Sequence, residues 1–434
     1  MEELFIKACS QNLLNVQNIY FANPTIDVST QNERAFRTAC SGGHLSVAQW
    51  LLSTKPTINI SADNEYSFRA ACDRGHLPVA QWLLSVNPTI NISADNEYPF
   101  RVACDRGYLS IAQWLLSIKP TIDVSARDEH AFRTACFRGH LSVAQWLLSV
   151  KPTINISADN EYPFRVACDR GYLSIAQWLL SIKPTIDVSA RDEQAFRTAC
   201  FRGHLSVAQW LLSVKPSERA DEAFRDACGC GHLSIAQWLL SIKPTIDVSA
   251  RDEQSFRMAC FRGHLSVAQW LLSVKPTIDI SERADEAFRD ACGCGHLSIA
   301  QWLLSTKPTI DVSAQDDEAF RRACSCGYLS VAQWLLSTKP TINISTRTDE
   351  AFRSACGYVH LNIAQWLFTL KPILYVIRVD ECTGSLKSWR VRTAEHARWQ
   401  KRKCALWLRA QQTQANVFNK VSEDVSRYIV QMFL

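Results

Sequence analysis

The sequence predicts an all-α repeat protein, a helix-turn-helix solenoid with short extended loops between its units. The first observation is the spacing of eleven of the 14 tryptophans, at positions 50, 82, 114, 146, 178, 210, 238, 270, 302, 334 and 366. Nine of the ten steps between them are 32 residues long, and the other is 28. The second observation is the pair of amphipathic helical patterns that recurs with each tryptophan. A fixed period of this length indicates an array of one supersecondary unit.

The composition is that of a folded protein without membrane spans. Of the 434 residues, 47% are hydrophobic and 21% are charged, which excludes disordered, collagen-like and low-complexity chains. The longest apolar runs, such as 373–377, are far shorter than the roughly 18 residues of a membrane span. The amino end is acidic and lacks the basic region of a secretory signal. We therefore expect an intracellular protein.

The first helix of a unit is predicted from its apolar stripe. Phe36, Ala39 and Cys40 stand at i, i+3 and i+4, as in a short amphipathic helix. Gly43 is suited to ending this helix, because glycine adopts left-handed dihedrals without a Cβ clash.

An acidic residue stands four positions before an arginine in all eleven full units, as Glu33 does before Arg37. On a helix this spacing predicts an ion pair that contributes about 0.2–0.5 kcal/mol. The alternative interpretation is an anion-binding ladder of arginines.

The second helix is predicted to be apolar on most sides. Its apolar residues in the first full unit are Leu45, Val47, Ala48, Trp50, Leu51 and Leu52. The polar residues Ser46, Gln49 and Ser53 form a single stripe, so neighbouring units must cover the rest. Pro56 ends the helix, and residues 57–60 alternate as a brief extended loop would.

The array is predicted to span residues 1–371, with a degenerate amino-terminal cap (1–30) followed by eleven full units. In the cap, the core positions are assigned to Phe5, Ala8, Cys9, Leu14 and Ile19. The short 28-residue step comes from a loop that lacks four residues near Pro216, so both flanking helices persist. Residues 372–434 lack the period and are expected to form a basic helical tail or cap.

The repeat resembles the ankyrin repeat. The wording Ala39-Cys40-x-x-Gly43-His44-Leu45 is similar to the family's Ala-Ala-x-x-Gly-His-Leu, although the family's Thr-Pro-Leu-His start is replaced. The recurring Ala-Gln-Trp-Leu-Leu wording is most similar to ankyrin arrays encoded by giant DNA viruses of amoebae. The resemblance implies a non-enzymatic scaffold that binds proteins, without a cofactor. It also implies that the partners are host proteins if the chain is viral, and that the turn histidine has a hydrogen-bonding role.

Candidate partner-binding residues are the two positions before each Gly-His or Gly-Tyr, which correspond to surface positions that ankyrin proteins commonly use for binding. They are Asp73, Arg74, Asp105, Arg106, Phe137, Arg138, Asp169, Arg170, Phe201, Arg202, Phe261 and Arg262. Arginine and phenylalanine are residue types that protein interfaces favour. The alternative is that these residues are only solvated helix ends.

The cysteines and histidines do not predict a catalytic or metal site. Eleven of the 17 cysteines are the periodic core residue, which favours free thiols in a reducing compartment such as the cytoplasm. Units such as Cys228-Gly-Cys230-Gly-His232 leave one spare thiol, too few for tetrahedral zinc. The turn histidine is replaced by tyrosine at Tyr108, Tyr172 and Tyr328, which argues against a general base.

The tail offers two alternative functions. Residues 387–403 are strongly basic and could cap the array, direct the chain to the nucleus or contact nucleic acid, although nucleic acid is the less favoured partner. Val425, Ile429 and Phe433 lie on one helical face that resembles the opening helix of an F-box, which docks on the adaptor of cullin ubiquitin ligases. The main prediction remains a protein-binding scaffold; its partner and its oligomeric state are not specified by the repeats.

Overall fold

The computed structural model describes residues 1–276 and 280–370 of the chain. These residues contain 24 α-helices and no β-strand, which confirms the predicted all-α repeat fold. They fall into two compact units. The first unit comprises Met1–Ala227 with Ser234–Ile246, and the second comprises Cys228–Leu233 with the described residues from Asp247 onward.

Each repeat contributes a first helix and a second helix, in alternation along the chain. The first helices are α1 (Glu2–Ala8), α3 (Thr30–Ser41), α5 (Ala62–Asp73), α7 (Ala94–Asp105), α9 (Ala126–Arg138), α11 (Ala158–Asp169), α13 (Ala190–Arg202), α15 (Ala220–Gly229), α17 (Ala250–Arg262), α19 (Ile280–Gly293), α21 (Ala314–Ser325) and α23 (Thr346–Gly357). The second helices are α2 (Leu13–Ala22), α4 (Leu45–Thr54), α6 (Leu77–Val86), α8 (Leu109–Ile118), α10 (Leu141–Val150), α12 (Leu173–Ile182), α14 (Leu205–Val214), α16 (Leu233–Ile242), α18 (Leu265–Val274), α20 (Leu297–Thr306), α22 (Leu329–Thr338) and α24 (Leu361–Leu370).

The core of each repeat is built from the predicted stripes of its two helices. Phe36, Ala39 and Cys40 of α3 are completely buried. Val47 and Leu51 of α4 close the same core from the other side. Burying an aliphatic or aromatic side chain of this kind contributes about 1.5–3 kcal/mol, so the packed helix pair is the stable element of the fold.

The periodic tryptophans join neighbouring repeats. The ring centroid of Trp82 lies 6.2 Å from that of Phe36 in the preceding repeat. In the first unit the same pair recurs, at 6.1–6.4 Å, as Phe68–Trp114, Phe100–Trp146, Phe132–Trp178 and Phe164–Trp210. Aromatic pairs at this separation add about 0.5–1.5 kcal/mol beyond the area that they bury. The 32-residue period therefore marks the contact that stacks one repeat on the next.

The first helices begin with a left-handed turn that the sequence analysis did not predict. In α7, the φ angles of Asp95, Asn96 and Glu97 are 56°, 53° and 60°. Arg101 folds back onto this turn, where its Nε donates to the Asn96 carbonyl at 2.7 Å and its Nη2 to the Asp95 carbonyl at 3.0 Å. The same contacts to the left-handed turn are made by Arg37, Arg69, Arg165 and Arg321.

The expected i, i+4 ion pair is wrong in these repeats, because the acidic residue lies in the left-handed turn and not on the right-handed helix. The acid contacts the next repeat instead. Glu129 accepts two hydrogen bonds from the backbone N–H of Asn155, at 2.8 and 2.9 Å, and Glu33 accepts one from Asn59 at 3.2 Å. The acid and the arginine thus serve the fold separately, one between repeats and one within the turn.

The loop between repeats consists of two turns where an extended segment was expected. Ile58 N–H donates to the Lys55 carbonyl, and Ala62 N–H donates to the Asn59 carbonyl, both at 3.1 Å. The Ile58 side chain is buried, so the loop still contributes to the core as its apolar pattern predicted.

The amino-terminal cap is present, with one correction to its frame. Phe5, Ala8 and Cys9 are buried as predicted, but Leu14 is 65% exposed. The second helix α2 begins at Leu13, so this residue takes the place of Leu45 and the predicted frame is shifted by one residue there.

Candidate protein-binding surface

The twelve candidate residues lie at the carboxyl ends of the first helices α5, α7, α9, α11, α13 and α17. We call them the helix-end row: Asp73, Arg74, Asp105, Arg106, Phe137, Arg138, Asp169, Arg170, Phe201, Arg202, Phe261 and Arg262. Those up to Arg202 belong to the first compact unit, and Phe261 and Arg262 belong to the second. All six arginines of the row are exposed, while the three aspartates are partly buried beneath them.

Most arginines of the first unit's row are held by an aspartate of the preceding repeat. The Nε of Arg138 lies 2.8 Å from Oδ1 of Asp105, across a sequence separation of 33 residues. Equivalent ion pairs join Arg106 to Asp73 at 3.1 Å and Arg202 to Asp169 at 3.0 Å. Each of these guanidinium groups remains about half-exposed. Exposed ion pairs of this kind contribute about 0.2–1 kcal/mol each, so they orient the arginines more than they stabilise the fold.

Arg170 has a different partner, because Arg202 takes the Asp169 carboxylate that lies nearest to it. The Arg170 guanidinium carbon lies 4.1 Å from the centre of the Phe137 ring, within the range of a cation–π contact. Its Nε also lies 3.8 Å from the other oxygen of Asp169. This arginine is therefore also held against the preceding repeat, by a ring instead of a carboxylate.

The phenylalanines of the row are large apolar groups at the surface. Phe201 in the first unit is 43% exposed, and Phe261 in the second is 40% exposed. Next to Phe261, Arg262 donates to the carbonyl of Gly229 at 3.2 Å and contacts Sγ of Cys230 at 3.3 Å. In the second unit the row is thus anchored to a backbone carbonyl, since no aspartate stands at position 229 or 230.

The turn histidines connect repeats, in agreement with the hydrogen-bonding role that the resemblance implied. The Nε2–H of His140 donates to the carbonyl of Asp105 at 3.0 Å, and His204 makes the same bond to Asp169. The His140 ring lies against Gly107, where a Cβ would come within 2.5 Å of Nδ1 and where φ is +79°. Glycine is therefore required twice over at this turn, for its dihedrals and for the space that the imidazole fills.

The core cysteines are free and buried in both units. Burial raises the pKa of the Cys136 and Cys200 thiols to about 12, so these groups stay protonated and unreactive. Within residues 1–276 and 280–370, the structure contains no group of three or more His, Cys, Asp or Glu side chains that could hold a metal ion. The same residues include no helix that is both long enough and apolar enough to cross a bilayer.

The candidate residues of the tail lie outside the described residues. These are the basic segment 387–403 and the F-box-like positions Val425, Ile429 and Phe433. Both interpretations of the tail stay predictions.

The pair spacing of 33 residues is the feature that sequence reasoning missed. It selected the Asp-Arg pairs because they vary, but it did not predict that each arginine reaches the aspartate of the repeat before it. The signal was present as an Asp at position n and an Arg at n+33, and it becomes visible only when the stacking of repeats is known.

Comparisons with known proteins bear on the fold. The family model described as ankyrin repeats, in three copies, matches residues 36–128, 100–192 and 256–348, which together make up more than half of the chain. The crystal structure of the human ASB11 ankyrin repeat domain is similar to this chain at 20% sequence identity, with a TM-score of 0.37. The match covers 49% of this chain and 97% of that one. No curated protein matches the chain.

Proposed function

The chain belongs to the ankyrin-repeat family, and from this premise we propose that it is a non-enzymatic scaffold that binds a protein partner through the helix-end row. Ankyrin repeats are in general protein–protein interaction modules, and their stacked repeats offer extended binding surfaces. If the chain is viral, as the wording of its repeats predicts, the partner is a protein of the host cell.

The observation that carries the proposal is the fixed orientation of the exposed arginines. Arg106, Arg138 and Arg202 are each held through Nε by an aspartate of the preceding repeat, which leaves the outer edge of the guanidinium facing solvent. Arginine and aromatic residues dominate the energy of protein interfaces. A side chain that is already oriented loses less conformational entropy on binding, so a row of held arginines is a prepared binding surface.

The charge of the row favours a partner with carboxylates. In the first unit it combines five arginines with three partly buried aspartates, so the exposed part is positive. Arginine pairs with carboxylates in a two-pronged geometry that gives specificity as well as affinity. Phe201 adds an exposed apolar contact at the end of this stretch.

The proposal is tested with a partner isolated on the full chain and then measured as a purified protein. The triple variant Arg106→Gln, Arg138→Gln, Arg202→Gln should bind about a hundredfold more weakly, since each arginine is expected to contribute about 1 kcal/mol or more. The control variant Lys119→Gln, Lys151→Gln, Lys183→Gln changes the net charge equally but lies outside the row. Equal binding by both variants and the wild type would remove the helix-end row from the interface.

A second variant tests whether orientation matters, or charge alone. Asp73→Asn, Asp105→Asn, Asp169→Asn removes the carboxylates that hold the arginines and makes the row more positive. If orientation matters, binding should weaken despite the added positive charge. An increase in affinity for an acidic partner would mean that the aspartates only reduce the charge of the surface.

The two alternatives based on the tail are separated by the same purification. A substrate adaptor of a cullin ubiquitin ligase, binding through Val425, Ile429 and Phe433, should recover ligase subunits with the full chain and lose them in a 1–371 truncation. A protein associated with nucleic acid through residues 387–403 should lose its partners after nuclease treatment. Recovery of the same partners by both chains, with or without nuclease, supports the scaffold.

A further inference from the structure

The second helices form a face that carries no charge. None of the eleven second helices from α4 to α24 contains an Asp, Glu, Lys, Arg or His residue, although 21% of the chain is charged. In the first unit each of these helices exposes a repeated set of small or neutral polar side chains; in α8 they are Ser110, Gln113 and Ser117. A solvated surface normally mixes charges of both signs at roughly a quarter to a third of its residues. This face therefore differs from the first helices and loops, which carry the charge of the repeats.

An aliphatic stripe runs along this face in the first unit. The last residue of each second helix is a valine or an isoleucine that is 40–45% exposed: Val86, Ile118, Val150, Ile182, Val214 and Ile242. One turn before each of them stands the half-buried tryptophan of the repeat, such as Trp114 before Ile118. The preceding second helix, α4, ends in Thr54, whose hydroxyl donates to the Trp50 carbonyl at 2.9 Å.

The lysines that follow the stripe do not add free charge to it. Lys151 lies 3.7 Å from the carboxylate of Asp123, and Lys215 donates to the Ser189 hydroxyl at 2.6 Å. Lys119 makes the corresponding bond to Ser93. Each of these ammonium groups is turned toward the loop of the preceding repeat. Depletion of charge together with aromatic and aliphatic side chains is typical of the buried centre of a protein interface.

We propose that this charge-free face is where two copies of the chain associate, in an antiparallel arrangement about a two-fold axis. A two-fold interface must be complementary to itself, since the same residues meet from both sides. A charged face would repel its own copy, whereas this face contains no charge to repel.

The order of the stripe is also complementary to itself when it is reversed. Valine and isoleucine alternate, so a two-fold axis between Val150 and Ile182 sets each valine against an isoleucine of the partner copy. The facing pairs are Val86 with Ile242, Ile118 with Val214, and Val150 with Ile182. Alternation of a larger with a smaller side chain across an interface lets the two layers interdigitate.

The area required is available on this face. A stable dimer buries roughly 800 Å² on each partner, which is about 130 Å² from each of the six helices α6 to α16. A single aromatic side chain buries about 150–250 Å² when fully covered. A half-buried tryptophan, an exposed aliphatic residue and three small or polar residues per helix therefore suffice.

The test is the oligomeric state of the full chain, measured by sedimentation velocity from about 1 to about 100 µM. We expect a concentration-dependent dimer. The variant Ile118→Thr, Val150→Thr, Ile182→Thr should raise the dissociation constant about a hundredfold or more, because six aliphatic side chains per dimer become polar. Threonine already stands at this position in α4, α20 and α22, so the variant is compatible with the fold.

Two further variants separate this surface from the helix-end row. Ile118→Lys, Val150→Lys, Ile182→Lys should abolish the dimer, because like charges then face each other in the centre. Arg106→Gln, Arg138→Gln, Arg202→Gln should leave the dimer unchanged even where it weakens partner binding. A wild-type chain that is monomeric at every concentration overturns the proposal, and so does a lysine variant that dimerises as the wild type does.

Discussion

At the scale of single residues, the chain contains its own comparison at positions 130 and 194. Residues 90–150 and 154–214 are identical except that His130 stands where Gln194 follows 64 residues later. The Nη1 of Arg165 donates to the side-chain oxygen of Gln194 at 2.6 Å. In the other copy, the buried Nδ1 of His130 has no hydrogen-bond partner. Since the surroundings are otherwise the same in sequence, the difference in stability belongs to this one side chain.

We predict that His130→Gln stabilises the protein. Replacing a buried unpaired nitrogen with an amide that can accept a hydrogen bond from Arg101 should raise the free energy of unfolding by about 1 kcal/mol. Gln194→His should lower it by a similar amount, because it removes the acceptor that Arg165 now uses. Urea unfolding of the two single variants measures both values, and a shift of the same sign in both would contradict this account.

The same substitution should have a pH dependence. Burial and the nearby positive charge of Arg101 lower the pKa of His130 below its usual value of 6.5. Below about pH 6.5 the unfolded chain therefore binds a proton that folded His130 does not, and stability is lost as the pH falls. The advantage of His130→Gln over the wild type should grow between pH 8 and pH 5. A constant difference across this range would mean that His130 titrates normally in the folded protein.

At the scale of one element, the left-handed turn at the head of a first helix is the feature with the highest internal energy. Left-handed residues other than glycine are unfavourable by roughly 1–2 kcal/mol each, and α7 has three of them in succession. Arg101 compensates with two hydrogen bonds to carbonyls that the turn leaves without a helical partner. The arginine is therefore part of the structure of the turn.

We predict that Arg101→Met destabilises the protein by about 2 kcal/mol, because two carbonyl acceptors lose their donor. Arg133 is the matched control: it stands at the same position in α9, yet its buried Nε has no hydrogen-bond partner. Arg133→Met should therefore cost less than about 1 kcal/mol. Thermal unfolding of both variants measures the difference. Equal losses would show that the arginine acts through packing and not through the turn.

The element scale also shows what the sequence could predict. The helix pair followed from the spacing of Phe36, Ala39 and Cys40 and from the apolar second helix, because one buried face imposes a visible period. The left-handed turn did not, because an acid four residues before an arginine is equally typical of a helical ion pair. The contact of Arg138 with Asp105 did not either. It crosses from one repeat to the next, so it depends on how the repeats stack and not on any local pattern.

At the scale of the whole molecule, charge and stability have different distributions. Residues 1–371 contain 36 basic and 37 acidic residues, so the net charge of +5 comes from residues 372–434. The mildly basic composition therefore does not describe the repeats. Their surface is instead divided into a charged part, on first helices and loops, and the uncharged second helices. This division is why two separate binding surfaces can be proposed on one fold.

The repeats are coupled to their neighbours, which predicts how damage spreads through the first compact unit. In a stacked array, stability is approximately a sum of terms for each repeat and for each contact between adjacent repeats. Trp82→Ala removes the ring that contacts Phe36, and it should destabilise the fold by about 3–5 kcal/mol. Amide hydrogen exchange should accelerate most in α3 to α6, whose sequences are distinct enough to follow. Protection in α13 and α14 should change far less.

The exposed Arg74, eight residues before Trp82, provides the control for this experiment. Arg74→Ala should leave both the melting temperature and the exchange pattern close to those of the wild type, because it removes no buried contact. If Trp82→Ala instead accelerates exchange equally from α3 to α14, the repeats of this unit unfold as a single cooperative body. In that case the near-identity of the duplicated repeats would have a physical consequence, since repeats of equal stability have no weakest point at which the stack separates.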